Sequence, residues 1–391
     1  MKLWLDKDLD KEVEKFTVGN DYLLDARLLN YDCIASIAHA KMLHKIGALS
    51  GKESKSIVKV LIDIQHDKSF KISPEDEDCH TAIENYLVTR LGSVGKKIHL
   101  VRSRNDQVLT ALRLYEKDEL KQIKSMLFGY KKSLNNVVSR YGTVRLPGFT
   151  HTRKAMPTTI AVWFGSFADS LNDNILLLAT ASKLIDQSPL GSAAGFGVPI
   201  FKIDRKFSSK LMHFSKVMEN PMYCQLSRGK FESTIIHVCS QIMFDLNKLA
   251  SDIILFSMPE FGFFALPKNM CTGSSIMPQK ENPDLLELVR AKYYFVLGEE
   301  FKVQSIASSL ISGYNRDLQL TKEPLFVSID TTKDCLNIMS ALLNNLSVDK
   351  AKCKKALTRK VYATEHAFAL VKKGVPFRDA YNIIAQKLKR P

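Results

Sequence analysis

The fold class is decided by residues 230–258, which read KFESTIIHVCSQIMFDLNKLASDIILFSM. Their apolar side chains recur in steps of three and four, at Phe231, Ile235, Val238, Ile242, Leu246, Leu249, Ile253 and Phe256. Such steps place the apolar groups along one face of a helix. Polar residues, Glu232 and Asp252 among them, fall largely off this row. The stretch therefore predicts one long amphipathic helix.

The neighbouring segments repeat this pattern. Residues 110–140, 158–187 and 284–311 also read as long helices, and alternating strand patterns are scarce. We therefore predict an all-α protein with a bundle of unusually long helices at its centre. We expect three helical regions: an N-terminal domain over 1–99, a central bundle of long helices over 100–348, and a short C-terminal domain over 349–391. Helices of about 30 residues run about 45 Å, so we expect them to pack against other subunits.

The composition is that of an ordinary globular protein. The chain has 391 residues, of which 45% are hydrophobic and 25% are charged, which excludes a disordered chain or a small disulfide scaffold. No apolar run approaches the ~20 residues of a membrane span. Residues 1–8 lack the apolar core of a signal peptide. The seven cysteines form no CxxC pair, so we predict reduced, mostly buried thiols in a cytoplasmic protein.

The positive charge is concentrated near the C-terminus. The formal net charge is +15, and residues 351–391 hold eleven Lys and Arg against two acidic residues. A basic segment can bind nucleic acid, but this one lacks the interleaved aromatic residues of such modules. We therefore interpret it as a solvated helix face and predict no nucleic-acid or membrane partner.

Three polar clusters could carry chemistry, although each also has a structural explanation. Residues 102–107, RSRNDQ, precede a predicted helix, where arginines and an amide suit a carboxylate or simply cap the helix. Residues 147–153, PGFTHTR, place His151 after a Pro-Gly turn, where it could act as an acid or base or be structural. Residues 76–81, DEDCHT, suggest a metal, but no second histidine follows at helical spacing, so we predict none.

The fourth cluster is the most specific. Residues 273–283, GSSIMPQKENP, place hydroxyls, a lysine and an amide on a loop bounded by a glycine and prolines. Such a loop can move and still close into a defined shape. A serine near a lysine can be a deprotonated base or nucleophile, and the lysine can stabilise a carboxylate-derived dianion. Neither this loop nor the glycine-rich 191–197 has the spacing of a nucleotide phosphate cradle.

The loop resembles the GSSxMPxKxNP signature of the fumarase/aspartase superfamily. RSRNDQV at 102–108 is similar to one branch of it, the argininosuccinate lyases, as are Thr150-His151 and YNRDLQLTKE at 314–323. Segments 259–263 and 374–378 also look like segments of this family. The motifs occur in the expected order and cover nearly the whole chain.

The resemblance implies cleavage of argininosuccinate to arginine and fumarate, without cofactor or metal, in a homotetramer whose active sites are shared between subunits. Ser274 would be the base, as a serinate, and Lys280 with Asn282 would hold the succinyl carboxylate and its dianion. Thr150 and His151 would serve the acid side, with Glu287 in the following helix orienting the histidine. The carboxylates and the arginine end of the substrate would be bound by Arg104, Asn105, Tyr314, Gln319 and Lys322.

The chain departs from the branch at several places. Leu3-Trp4-Leu5 stands where WGGRF is usual, and Gly19 lies where many members have a serine. Residues 226–231, LSRGKF, replace SxDRDF. We interpret this as a subfamily variant, because the serine, lysine and histidine positions are intact. The apolar pattern of 377–388 ends with little sequence beyond it, so we hypothesise that the third region is reduced.

Three other functions fit parts of the sequence. Another lyase of the superfamily, acting on adenylosuccinate, aspartate or malate, would share the serine loop but lack RSRNDQ and YNRDLQ. A catalytically silent member, like the lens crystallins, is disfavoured by the intact Ser274, Lys280 and His151. A basic nucleic-acid-binding protein rests on charge alone, and salt-dependent DNA retention without lyase activity would favour it.

Overall fold

The computed structural model describes residues 10–389. The N-terminal residues that were searched for a targeting signal, including Leu3-Trp4-Leu5, lie outside this range, as do Arg390 and Pro391. Within it, none of the helices is both long and apolar enough to span a membrane.

Helices dominate the described residues, which confirms the all-α fold class. The α-helices are α1 Lys11–Val18, α2 Asp21–Asp25, α3 Leu29–Lys45, α4 Gly51–His66, α5 Cys79–Leu91, α6 Ser93–Lys96, α7 Arg104–Tyr141, α8 Ile160–Ile185, α9 Arg205–Leu211, α10 Pro221–Leu226, α11 Lys230–Ser257, α12 Asp284–Ser308, α13 Lys322–Asn345, α14 Lys350–Ala356, α15 Ala363–Val371 and α16 Phe377–Lys389. Short 3-10 helices cover Pro74–Asp76, Lys97–His99, Lys268–Met270, Arg316–Thr321 and Arg359–Tyr362.

The apolar row that predicted α11 is buried along its whole length. The eight residues from Phe231 to Phe256 are each at most 7% exposed. Glu232 also is 1% exposed, although the pattern had left it off the row. Its Oε1 lies 3.8 Å from Nη1 of the buried Arg113, whose Nη1 is 2.7 Å from Glu116 Oε2. Because a buried guanidinium needs compensating charge, Glu232 is buried with it.

The strands were not predicted from the sequence. They form three two-stranded sheets: β1 Arg145–Thr150 with β2 Arg153–Thr159, β3 Gln187–Ser188 with β4 Lys216–Val217, and β5 Phe264–Ala265 with β6 Ser347–Val348. The prediction of a Pro-Gly turn before His151 is wrong. Pro147 and Gly148 lie within β1, the register shifts between Pro147 and Phe149, and the chain turns at His151 and Thr152.

The chain divides into two compact units. The first comprises the described part of Met1–Ile123, with Leu177–Val238 and Leu297–Ile329, and the second comprises Lys124–Leu176, Cys239–Val296 and the described part of Asp330–Pro391. The five long helices α7, α8, α11, α12 and α13 each contribute residues to both units. The division into 1–99, 100–348 and 349–391 stays a prediction.

In the first unit, α3, α4 and α5 build an apolar core that fixes the start of α5. Leu43, Ile57, Leu61 and Ile83 are fully buried in it. Helix α4 begins with a capping box in which Ser50 and Glu53 satisfy each other's backbone N–H groups. This core holds in place the turn before α5, which carries acidic side chains of the site described below.

The cysteines and the C-terminal helix agree with parts of the sequence analysis. All seven cysteines are free thiols, and all except the half-buried Cys271 are buried.

Helix α16 packs on α15, where Phe368 and Phe377 have ring centroids 5.9 Å apart. Ala380 is fully buried, whereas Tyr381 remains 54% exposed. The hypothesis of a reduced third region stays a prediction.

Candidate active site

One cavity in the first unit gathers five of the residues predicted to bind substrate. It has a volume of about 440 Å³ and a lining rich in charged side chains. The five are Arg104, Asn105, Tyr314, Gln319 and Lys322. The lining comes from α2, the start of α5, the start of α7, the 3-10 helix Arg316–Thr321 and the start of α13. Segments distant in sequence therefore converge on one polar pocket.

Lys322 is held between two carboxylates of α2. Its Nζ contacts Asp21 and lies 2.6 Å from Asp25 Oδ1. Burial acts to lower the pKa of Lys322, but Asp25 and Asp21 outweigh it, so the pKa is raised. Burial raises the pKa of Asp21 to about 6. Burial acts on Asp25 in the same direction, but Lys322 outweighs it, and the pKa of Asp25 is lowered. Because two carboxylates face one ammonium group, this cluster has the charge to bind a second cation.

Two arginines of the cavity are also paired with acids. Arg104 Nη2 contacts Asp78 and lies 3.5 Å from Glu77 Oε1. Arg316 Nη2 contacts Glu77 and donates to the Thr17 carbonyl at 2.8 Å. Burial acts to raise the pKa of Asp78, but His80 and Arg104 outweigh it, so the pKa is lowered. These arginines are thus fixed in place, with much of their charge neutralised.

Two amides have different roles at the cavity. Gln319 Nε2 donates to the carbonyls of Thr17 and Val18, both at 3.3 Å, and so ties the end of α1 to the site. Asn105 is half-buried, and its side-chain amide has no hydrogen-bond partner among residues 10–389. Its amide is therefore available to a ligand in the cavity.

A buried histidine lies at the base of the cavity. His80 Nδ1 is 2.9 Å from Asp32 Oδ2, while its Nε2 is buried without a partner. Burial acts to lower the pKa of His80, but Asp32 outweighs it and the pKa is raised. Ligand atoms of His80, Cys79 and Asp25 lie within 4.8 Å of one another. They suit a metal poorly, because Lys322 already pairs with Asp25 and burial raises the pKa of the Cys79 thiol well above its usual value.

Asp106 has a structural role that the polar cluster did not reveal. The cluster does not precede the helix, because Arg104 already begins α7. Asp106 is fully buried and accepts backbone N–H groups from Ser103 and Gly191 at 2.8 Å and from Ala193 at 3.0 Å. It therefore fixes the glycine-rich loop of 191–197 to the helix turn that carries Arg104.

The second unit places Thr150 and His151 at the tip of a hairpin. Thr150 pairs with Arg153 in the β1–β2 register, and His151 and Thr152 form the connection. Both have positive φ, 51° and 58°, as the tight turn of a two-residue hairpin demands. Thr150 and His151 are exposed, and the Thr152 hydroxyl donates to the His151 carbonyl at 2.7 Å. The hairpin thus presents both residues outward.

The serine loop has a closed neck and an exposed tip. Thr272 and Asn282 exchange backbone hydrogen bonds of 3.1 and 2.8 Å across the neck, and Asn282 Nδ2 donates to the Gly273 carbonyl at 3.2 Å. Ser274 Oγ accepts the N–H groups of Ile276 at 3.4 Å and Met277 at 3.2 Å. Donors aimed at this oxygen favour its deprotonated form. The role of Ser274 as a serinate base stays a prediction.

Lys280 and Glu287 extend from the same region into solvent. Both are exposed, and Glu287 lies in the first turn of α12. Within residues 10–389, neither side chain has a hydrogen-bond or ion-pair partner. The predicted pairing of Glu287 with His151 is not formed in the described part of this single chain and stays a prediction.

The candidate residues thus fall into two sets. Five of the predicted substrate-binding residues share one cavity of the first unit. The other candidates belong to the second unit, where Thr150 and His151 lie on the hairpin, Ser274, Lys280 and Asn282 on the serine loop and Glu287 at the start of α12. The sequence analysis did not propose a site role for four further residues of the cavity: Asp21, Asp25, His99 and Arg228. The spacing of Asp21 and Asp25 on α2 was a detectable signal, because residues four apart share a helix face.

Comparison with known proteins places this geometry in a family. The protein-family model described as Lyase matches residues 6–298. Argininosuccinate lyase of Thermotoga neapolitana is 54% identical over 393 residues, covering 100% of this chain and 98% of that protein. Argininosuccinate lyase of Sorangium cellulosum is 40% identical over 393 residues, covering 99% and 91%.

Solved structures of similar fold agree. EDDS lyase in complex with formate has a TM-score of 0.82 at 23% identity, covering 97% of this chain and 76% of that chain. A structure of fumarate lyase:delta crystallin from Brucella melitensis bound to cobalt has a TM-score of 0.82 at 22% identity, covering 96% and 87%. At these identities the likeness shows a shared fold and nothing about the substrate.

Proposed function

Since this chain belongs to the argininosuccinate lyase family of the fumarase/aspartase superfamily, we propose that it catalyses the reversible β-elimination of argininosuccinate to L-arginine and fumarate. The observation that carries the proposal is the convergence of five predicted substrate-binding residues on one charged cavity. We further propose that the enzyme acts in arginine biosynthesis in the cytoplasm.

The elimination needs a base, a group that stabilises the dianion, and an acid. Ser274 would remove a proton from the succinyl Cβ, helped by the N–H groups of Ile276 and Met277 that its oxygen accepts. Lys280 and Asn282 would stabilise the aci-carboxylate dianion that forms. The C–N bond then breaks, its electron pair goes to the guanidinium nitrogen, and His151 or a group that it serves protonates that nitrogen.

We propose a homotetramer whose active sites combine residues of several subunits. Two observations support it. Within residues 10–389 no hydrogen bond or ion pair joins His151 to the serine loop. Helix α12 also carries a broad exposed apolar face, on which Leu288 is 60% and Phe301 73% exposed. An exposed apolar face of this kind is typical of a helix that packs against another chain.

Fumarate release from argininosuccinate, followed by ultraviolet absorbance, tests the function. We expect the wild type to be active and Ser274→Ala to lose on the order of 10³-fold in kcat, since general-base catalysis contributes 10²–10⁴-fold. Ser275→Ala changes the neighbouring hydroxyl of the same loop and is the matched control, expected to retain activity. An equally active Ser274→Ala would move the base elsewhere, and wild type active only on adenylosuccinate or aspartate would change the substrate.

A further inference from the structure

Arg228 is the cavity-lining arginine that has no acidic partner in the part of the chain that the structure describes. Arg228 is 6% exposed, and its Nη1 is buried without a hydrogen-bond partner. Its guanidinium carbon lies 4.9 Å from the centroid of the Tyr314 ring. Arg104 and Arg316, by contrast, are both paired with acidic side chains. Arg228 thus brings to the pocket a positive charge that forms no ion pair within residues 10–389, although Glu232 and Asp21 also act on it electrostatically.

A buried cation without an ion-pair partner is costly, because it has left water without gaining a directly contacting counter-charge. The aromatic face of Tyr314 offsets part of this cost, but a ring quadrupole does not replace a carboxylate. Burial lowers the pKa of Arg228, in keeping with its desolvation, although a guanidinium stays protonated at neutral pH. Such a site is arranged to receive an anion from a ligand.

Lys322 is a weaker candidate for the same anion. It contacts Asp21 and Asp25 at once, so the cluster as a whole carries two acidic groups for one ammonium. This cluster therefore attracts a cation more strongly than an anion. The cavity thus combines one site for a cation with one for an anion, as a zwitterionic amino acid requires.

We propose that Arg228 binds the α-carboxylate of the arginine half of the substrate, while the Asp21–Lys322–Asp25 cluster binds its α-ammonium group. The proposal rests on the proposed function and refines it, because the resemblance had assigned the arginine end to Lys322 and its neighbours and had treated Arg228 as a subfamily variant. A bidentate guanidinium–carboxylate pair would also satisfy the buried Nη1. Arg228 is then a specificity-determining residue for the amino-acid end.

The test compares arginine with agmatine, which is arginine without its α-carboxylate. Binding of each is measured by calorimetry on the wild type and on Arg228→Gln, and KM for arginine and for fumarate is measured in the reverse reaction. We expect the wild type to prefer arginine by on the order of 10²-fold, and Arg228→Gln to lose most of this preference with its agmatine affinity unchanged. KM should rise for arginine and not for fumarate.

Arg90→Gln is the matched control, since Arg90 also lies over a tyrosine, Tyr86, at 5.7 Å, but is exposed and outside the cavity. It should leave the preference for arginine unchanged. Thermal denaturation without ligand supplies a second readout. Arg228→Gln should melt at or above the wild-type temperature, because it removes a buried cation that has no ion-pair partner. Melting well below the wild type, with both ligands weakened equally, would identify a structural role and overturn the proposal.

The remaining outcomes separate this inference from the function. If the wild type releases fumarate but Arg228→Gln keeps the preference for arginine over agmatine, the inference is overturned and the function stands. If the wild type releases no fumarate from argininosuccinate, the proposed function fails. In that case, arginine binding that is lost in Arg228→Gln still supports the inference. If the wild type binds no arginine, the inference is overturned together with the function.

Discussion

At the scale of single residues, buried carboxylates hold the candidate site in shape. Asp106 is the example with the most consequences, because it receives three backbone N–H groups and so joins the first turn of α7 to Gly191 and Ala193. Burial raises the pKa of its carboxyl to about 6 in spite of these donors. The carboxyl is therefore mostly ionised at pH 7 but takes up a proton just below neutrality.

Asp106 should make stability depend on pH in a defined direction. Its folded-state pKa of about 6 lies above the ordinary 3.8, so its contribution is complete below about pH 4 and is lost as the pH rises through 6. From pH 4 to 7, the free energy of unfolding of the wild type should fall by about 3 kcal/mol relative to Asp106→Asn, given 1.36 kcal/mol per pKa unit. Urea unfolding at fixed protein concentration measures this difference, with the exposed Asp63→Asn as control. Parallel profiles for wild type and Asp106→Asn would contradict the assignment.

Residue identities in the site were only partly predictable. Motif order pointed to Arg104, Asn105 and the 314–322 residues, and the cavity contains them. The pairing of Lys322 with Asp21 and Asp25 was beyond the sequence, because it depends on the placement of α2 against α13. The isolation of Arg228 was likewise invisible, since a missing partner is a property of three-dimensional neighbours.

At the scale of elements, periodicity predicted the helices and failed at the hairpin. The steps of three and four in 230–258 are sufficient because every member of the row is buried. The hairpin carries misleading signals. Pro147-Gly148 is typical of a turn but lies within β1, while the true connection, His151-Thr152, lacks the Asn-Gly signature of such turns. A turn made of unfavourable residues indicates local strain, which is common where function requires a fixed geometry.

Thr152 provides a test of that strain. Its φ of 58° is unfavourable for a β-branched residue, so Thr152→Gly should raise the free energy of unfolding by about 0.5–1 kcal/mol. The same change should lower kcat, because the hydrogen bond from the Thr152 hydroxyl to the His151 carbonyl is lost and the histidine becomes less fixed. Chemical denaturation and the fumarate assay measure the two effects. Thr158→Gly, at an extended position of β2, should instead destabilise, and a destabilised Thr152→Gly would show that the turn is not strained.

At the scale of the whole molecule, each unit holds an incomplete set of the residues that the reaction needs. The cavity that we propose to bind substrate belongs to the first unit, and the proposed base Ser274, with Lys280 and His151, belongs to the second. Length alone predicted that the long helices need partners, and the exposed apolar face of α12 agrees with it. Without the resemblance, the sequence does not reveal which residues together form one complete active site.

Mixing two inactive variants tests whether complete sites form between subunits. Ser274→Ala disables the loop of the second unit, and Lys322→Ala disables the pocket of the first, so each homo-oligomer should have almost no activity. If one site combines the pocket of one subunit with the loop of another, hybrids made by joint denaturation and renaturation contain some sites with neither substitution. Fumarate release should then return to a clear fraction of the wild-type rate. Ser274→Ala mixed with Lys280→Ala is the control, because both changes lie in one loop and every hybrid site keeps one of them. Equal, negligible activity in both mixtures would mean that each site is built from a single chain.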